Sequence, residues 1–266
     1  VLKLALLGCE CKPPYGPIDH TARMFLEMLV ESAKSAKLAI KILMDIYNVV
    51  EYAYPKNWDE YNGVIVPGSF SAAYDSDPWI DELKAKLQEH VVKGELPTLG
   101  VCFGHQVLAH SFETGTTIHP QNGPWAGRVS MPFQTDLVDL YVSHGDVVVQ
   151  LPDSAVCLSG DDDSSVPIQI AAYFPSADKA AEWKSTHRGK PFAVTFQAHP
   201  EYASSSLGVS TLNGCIDAMF ERGAFDEATC EEIRRDAEKT LAQVKKDSIR
   251  VMVTTCRYLG WFPDEE

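Results

Sequence analysis

The chain has 266 residues, of which 45% are hydrophobic, enough to bury a sizeable core in one large α/β unit. With 37 acidic against 23 basic side chains its formal charge is −14, a balance that repels phosphate backbones and argues against a nucleic-acid partner. No apolar run reaches the ~18 residues of a membrane span, and the apolar start is interrupted by Gly8 and Glu10 too soon for a signal peptide.

In chain order, residues 1–8 read as a short buried strand and 9–17, rich in Pro and Gly, as a loop. Over 20–36, Met24, Leu26, Met28, Leu29 and Ala33 recur among charged residues, which predicts an amphipathic helix. Residues 39–47 predict a second strand; Val64, Ile65 and Val66 predict a third that stops at Pro67-Gly68. Asp77-Pro78 opens a helix running to about Lys93, with Asp77 as its cap, Pro78 in its first turn and Gly94 as its stop. Residues 97–101 predict the next strand, followed at once by a helix over 104–111. This alternation implies a mostly parallel sheet with helices on both faces, whose ligands sit beyond the carboxyl ends of the strands. Residues 125–133 and 137–142 read as short strands, 147–151 and 169–173 continue their character, and Gly160 to Ser165 is an exposed loop. Residues 191–198 predict a further strand, and from Ala224 onward Glu, Arg, Lys and Ala predict a helical tail. No linker divides the chain, so one unit over 1–266 is expected, with a core to about 205 and a helical extension over 206–266.

The segment Leu99-Gly100-Val101-Cys102-Phe103-Gly104-His105-Gln106 sends a strand straight into a helix through a turn with Gly on both sides of a Cys. Such a turn forces the Cys into a strained backbone and projects its thiol at the sheet edge. The thiol then lies at a helix N-terminus, where the positive end of the dipole favours an anion. The N–H of Phe103 points at the same spot and can hold a developing oxyanion. A thiol nucleophile needs a base, and the base needs an orienting group. His199, in Phe196-Gln197-Ala198-His199-Pro200-Glu201, ends a predicted strand and should reach the same edge; Glu201 can hold its second nitrogen.

Gly100-Val101-Cys102-Phe103-Gly104-His105-Gln106 together with His199-Pro200-Glu201 resembles the signature of the class I (triad) glutamine amidotransferases, over roughly residues 1–205. The resemblance implies a flavodoxin-like, doubly wound, mostly parallel sheet with a small additional sheet. It implies a Cys102-His199-Glu201 triad that cleaves the γ-amide of glutamine or a γ-glutamyl compound through a γ-glutamyl thioester. Val66-Pro67-Gly68-Ser69 is similar to the family's Pro-Gly-Gly turn, which makes the Gly68 N–H the second oxyanion donor beside Phe103; Ser69 departs from the commoner second Gly. Ser143-His144-Gly145-Asp146 resembles a stretch of the GMP synthetase glutaminase domain, where it and the residue at Gln106 grip the amino-acid end of glutamine. The site residues implied are therefore Gln106, Ser143, His144 and Gly145 for substrate, with no metal and no organic cofactor.

A free-standing hydrolase is the first expectation, since no synthetase or ATP-binding segment is recognisable. A glutaminase subunit feeding ammonia to a separate synthetase is the alternative, and an inactive regulatory homologue the second. The partner beyond the small substrate is then a second copy of the chain or that synthetase, in the cytoplasm. Phe103 sets aside the related hydrolases that place His directly after the nucleophile.

Other signals carry less. Cys9 and Cys11 supply two metal ligands without a matching pair, and seven scattered cysteines read as reduced thiols. Cys157, Cys215, Cys230 and Cys256 lack flanking Gly or nearby His, and His105 is expected to pack along its helix. Residues 74–79 resemble a loop that lies over the site in free-standing members. Arg128 falls where it could meet a substrate carboxylate.

Overall fold

The structure is a computed structural model and describes residues 1–112, 114–121, 123–160 and 164–264. Leu2–Gly8 (β1), Ile18–Ser35 (α1) and Ile42–Asn48 (β2) open the chain. Gly63–Val66 (β3) leads to Pro78–Lys86 (α2), and Thr98–Val101 (β4) runs into Phe103–His110 (α3). Thr116–Ile118 (β5), Trp125–Phe133 (β6), Asp136–His144 (β7), Val147–Gln150 (β8), Ala155–Ser159 (β9) and Ile170–Tyr173 (β10) follow. Ala177–Thr186 (α4), Ala193–Phe196 (β11), Pro200–Ser204 (α5), Gly208–Glu221 (α6) and Glu227–Tyr258 (α7) complete the order.

The main sheet has seven strands in the order β2-β1-β3-β4-β11-β10-β9. The first five are parallel; β10 runs against β11, and β9 against β10. This is the mostly parallel, helix-covered sheet that the sequence implies, and the small additional sheet consists of two ribbons, β5-β8 and β6-β7. Strands covered on both faces need apolar side chains in both directions. β3 meets that need by turning Ile65 into the core shared with α1 and α7, and Val64 and Val66 into the core shared with α2 and α3. β10 divides the same way, Ile170 and Ala172 against Ala171 and Tyr173.

The C-terminal segment is part of this construction. Val251, Met252 and Cys256 of α7 are buried in one core with Leu4, Leu6 and Phe25. Beyond the helix, Trp261 and Phe262 are buried too, and Trp261 Nε1 donates to the Asn62 carbonyl at 3.1 Å, beside the start of β3. Buried Asp247 accepts the Asp139 amide of β7 at 3.1 Å and the Gln243 side chain at 2.9 Å.

Three local expectations change. α-Helical geometry stops at Lys86, and residues 87–92 wind more widely, the Lys93 N–H reaching back five residues to Gln88 at 3.1 Å. Pro78 does start α2, but Asp77 caps it with backbone alone: its carbonyl takes the Ile80 and Asp81 amides at 2.9 and 3.3 Å, and its carboxylate makes no capping bond. β5, β9 and α4 lie outside the expected elements; each is short, and α4 buries only Ala180 and Trp183, too few residues for a readable period. Asp161 to Asp163 of the expected exposed loop lie outside the described residues.

Candidate active site

β4 ends one residue before Cys102, and α3 begins one residue after it. Cys102 has φ 52° and ψ −106°, a conformation that costs an L-residue roughly 1–3 kcal/mol and persists only where the surroundings dictate it. Three backbone bonds do so: Cys102 N–H to Phe196 at 2.7 Å, Gly104 N–H to Pro67 at 3.2 Å, and Gln106 N–H to Cys102 at 3.1 Å. The two glycines are steric requirements. A Cβ on Gly104 would stand 1.9 Å from the Val66 carbonyl oxygen, and one on Gly100 would stand 2.8 Å from both the Gly104 oxygen and Thr195 Cγ2. Cys102 is thereby fixed at the first turn of α3, with Sγ 3.9 Å from the Ser143 carbonyl.

β11 lies parallel beside β4, with Phe196 opposite Val101, so both strands deliver their following residues to one edge. His199 is anchored there by its own N–H, which donates to the Tyr141 carbonyl at 2.7 Å. Its Nδ1 donates to Glu201 Oε1 at 2.7 Å, and the side chains are 0% and 2% exposed. The imidazole stacks on Tyr202, with centroids 4.1 Å apart and planes 9° apart. Burial pulls the imidazole pKa down, but the charges of Glu201 and Cys102 outweigh it and raise it to about 10. His199 Nε2, buried and without a hydrogen-bond partner, is the nitrogen free for chemistry. Gly68 marks the convergence: a Cβ there would stand 3.0 Å from His199 Cε1, 3.1 Å from Tyr15 Oη and 3.5 Å from Cys102 Cβ.

A cavity of about 400 Å³ opens over the thiol, and Cys102, Gln106, Ser143, His144 and Gly145 all line it. Gln106 Nε2 donates to the Asp146 carbonyl at 2.9 Å, and His144 Nδ1 donates to the same oxygen at 3.1 Å. Burial pulls His144 down to about 3, so it is a neutral ring, stacked on Trp125 at 5.1 Å. The Asp146 carboxylate accepts Tyr74 Oη at 3.1 Å and pairs with His119 at 2.8 Å. Tyr74 and Asp75 line the cavity as well, while Trp79 turns inward and packs on Phe103 at 5.7 Å.

Sequence reasoning missed Tyr15, Phe70, His119, Tyr202 and Arg222, which carry no local signal; only Tyr202, next to Glu201, stood beside a recognised residue. Arg128 is held by Asp236 at 3.0 Å and Asp139 at 3.2 Å, away from the cavity wall, so it meets no substrate there. His105 packs as expected: its Nε2 donates to the Ile168 carbonyl at 3.2 Å, which leaves Nδ1 to accept from Thr195 Oγ1 at 2.7 Å. None of the seven cysteines forms a disulfide. Cys9 is spent on the Leu7 carbonyl at 3.1 Å, and no group of three or more His, Cys, Asp or Glu among the described residues is placed to hold a metal ion.

Fold and sequence together define a class. The chain belongs to the class-I glutamine amidotransferase family, whose sequence model matches residues 22–218. Within it, the chain is similar to a glutamine-hydrolysing GMP synthase of Porphyromonas gingivalis, 27% identical over 195 residues, which are 68% of this chain and 34% of that protein. The chain thus spans about a third of the length of that relative. It is also similar to gamma-glutamyl peptidase 5 of Arabidopsis thaliana, 29% identical over 179 residues, 61% of this chain and 63% of that one. In three dimensions it resembles a glutamine amidotransferase from Thermotoga maritima, with a TM-score of 0.66 at 19% identity and 97% of each chain covered, a likeness of fold.

Proposed function

We propose that this protein hydrolyses the γ-amide of glutamine or of a γ-glutamyl compound, with Cys102 as nucleophile, His199 as proton carrier and Glu201 as the group that orients it. The observation that carries this reading is the meeting, beside Gly68, of a strained Cys102 that lines the cavity with a His199–Glu201 pair buried behind it. The raised imidazole pKa supports a proton on His199 before attack. Cys102 Sγ adds to the γ-carbonyl carbon, and the N–H groups of Gly68 and Phe103 receive the oxyanion. The C–N bond then breaks as His199 gives its proton to the departing nitrogen, leaving a γ-glutamyl thioester. Water, deprotonated by His199, attacks the thioester and frees glutamate and the thiol. Gln106, Ser143, His144 and Gly145 surround the amino-acid end of the substrate.

Residues 1–266 act as one unit in this reading, since α7 shares the core of the sheet. No helix of the described residues is long and apolar enough to cross a membrane, and seven cysteines outside any disulfide fit a reducing cytoplasm. The test is release of glutamate from glutamine, glutathione and γ-glutamyl dipeptides by the purified chain. Turnover of at least ~1 per second on one of them is expected, and silence across the panel refutes autonomous hydrolysis. The similarity to GMP synthases supports a second reading, a glutaminase that supplies ammonia to a separate synthetase. That reading requires the isolated chain to be nearly idle and the synthetase to switch it on.

A further inference from the structure

The cavity over Cys102 has two walls of different chemistry. One is the hydrogen-bonded group around Asp146, made of Gln106, His144, His119 and Tyr74. The other is a run of aromatic contacts that ends in a cation. Tyr15, buried beside the thiol, meets Phe70 edge to face at 5.2 Å, and the Arg222 guanidinium lies over Phe70, 5.3 Å from its centroid. Met219 and Ala218, one turn earlier on α6, extend the apolar part of this wall.

Arg222 differs from Arg23, Arg128, Arg234 and Arg250 in having no carboxylate partner among the described residues, and from Arg188 and Arg235 in facing the cavity. Arg128, Arg234 and Arg250 are each engaged by carboxylates. Among the described residues Arg222 forms no ion pair, and it is the only Lys or Arg lining this cavity. In a chain of formal charge −14 it is a local positive spot at the mouth of the site. Phe70 holds one face of the guanidinium and leaves its N–H edge for an anion; such a planar fork suits a carboxylate.

We propose that the Phe70–Met219–Arg222 wall receives the amine side of the scissile bond, and that the preferred substrate is a γ-glutamyl peptide whose next residue is apolar and bears a free α-carboxylate that pairs with Arg222. This rests on the hydrolase reading above, in which the Asp146 wall takes the glutamyl end. Glutamine releases ammonia and leaves the second wall empty; a γ-glutamyl dipeptide fills it. Arg222 then sets specificity by binding and takes no part in proton transfer.

The experiment compares γ-glutamyl-leucine with γ-glutamyl-leucinamide, which differ only in the carboxylate, with glutamine alongside. The wild-type protein is expected to favour the acid over the amide by about tenfold in kcat/KM, chiefly through KM. That preference should shrink with added salt, as for an exposed charge pair. Arg222→Ala should bring the acid-to-amide ratio close to one, and Arg222→Lys should restore part of it. Equal use of acid and amide by the wild type, or a ratio unchanged in Arg222→Ala, overturns the proposal and leaves the hydrolase reading standing. So does a protein that cleaves glutamine but neither dipeptide. A protein that cleaves none of the three overturns both.

Discussion

At Cys102 backbone and side chain make opposite demands: the dihedral angles suit glycine, and the proposed chemistry needs sulfur. Cys102→Ala should therefore fold and lose amide hydrolysis by at least ~10³-fold in kcat, read as glutamate release. In the proposed mechanism His199 and Glu201 are unequal partners. His199→Ala should approach the loss at Cys102, whereas Glu201→Gln keeps a hydrogen-bonding group at Nδ1 and should retain more activity. The pH profile carries a further sign. In the proposed mechanism His199, its pKa raised to about 10, supplies the proton that the leaving nitrogen needs, so kcat should fall as pH rises through that value. Glu201→Gln removes a charge that raises this pKa, and the falling limb should move to lower pH in kcat measured across pH 6–11. These residues were legible in the sequence because the turn needs Gly100 and Gly104 in fixed places, and His199, Pro200 and Glu201 are contiguous. Arg128 was misread because the carboxylates that hold it, Asp139 and Asp236, come from another strand and a distant helix. Tyr15 and Phe70 were unreadable for the same reason: their meaning lies in contacts across the fold.

The junction between β4 and α3 depends on one close approach. Gly104→Ala would drive a methyl into the Val66 carbonyl, backbone that cannot swing aside. A loss of more than about 3 kcal/mol is expected in urea unfolding, or failure to accumulate as folded protein. α7 offers a milder test. Asp247 is a buried acceptor for the Asp139 amide of β7, so Asp247→Ala strands that donor and should cost about 2 kcal/mol, visible as a lower urea midpoint. The elements with strong periodicity or clear end signals, α1, β3, β4 and α3, were legible from sequence. The end of α2 was not, because the shift to a wider turn after Lys86 depends on tertiary packing, including His90 stacked on Trp58 at 4.3 Å.

Over the whole molecule, Trp261 and Phe262, beyond α7, pack back into the main core. Trp261 is 4% exposed in the main core and bonds to Asn62 near β3. Trp261→Ala should cost about 3 kcal/mol or more by urea unfolding, the usual range for losing a buried indole; an indifferent variant would show that the tail only rests on the surface. The placement of β11 beside β4 has a consequence in time. Cys102 and His199 are far apart along the chain and become neighbours only when these two strands pair, with the segment between them already looped out. No sub-assembly built from the first half of the chain alone can contain the reacting pair. During refolding from denaturant, helix signal can recover early, but glutamate release must wait for β11 to dock. The delay between those two signals would measure when the centre of the sheet closes.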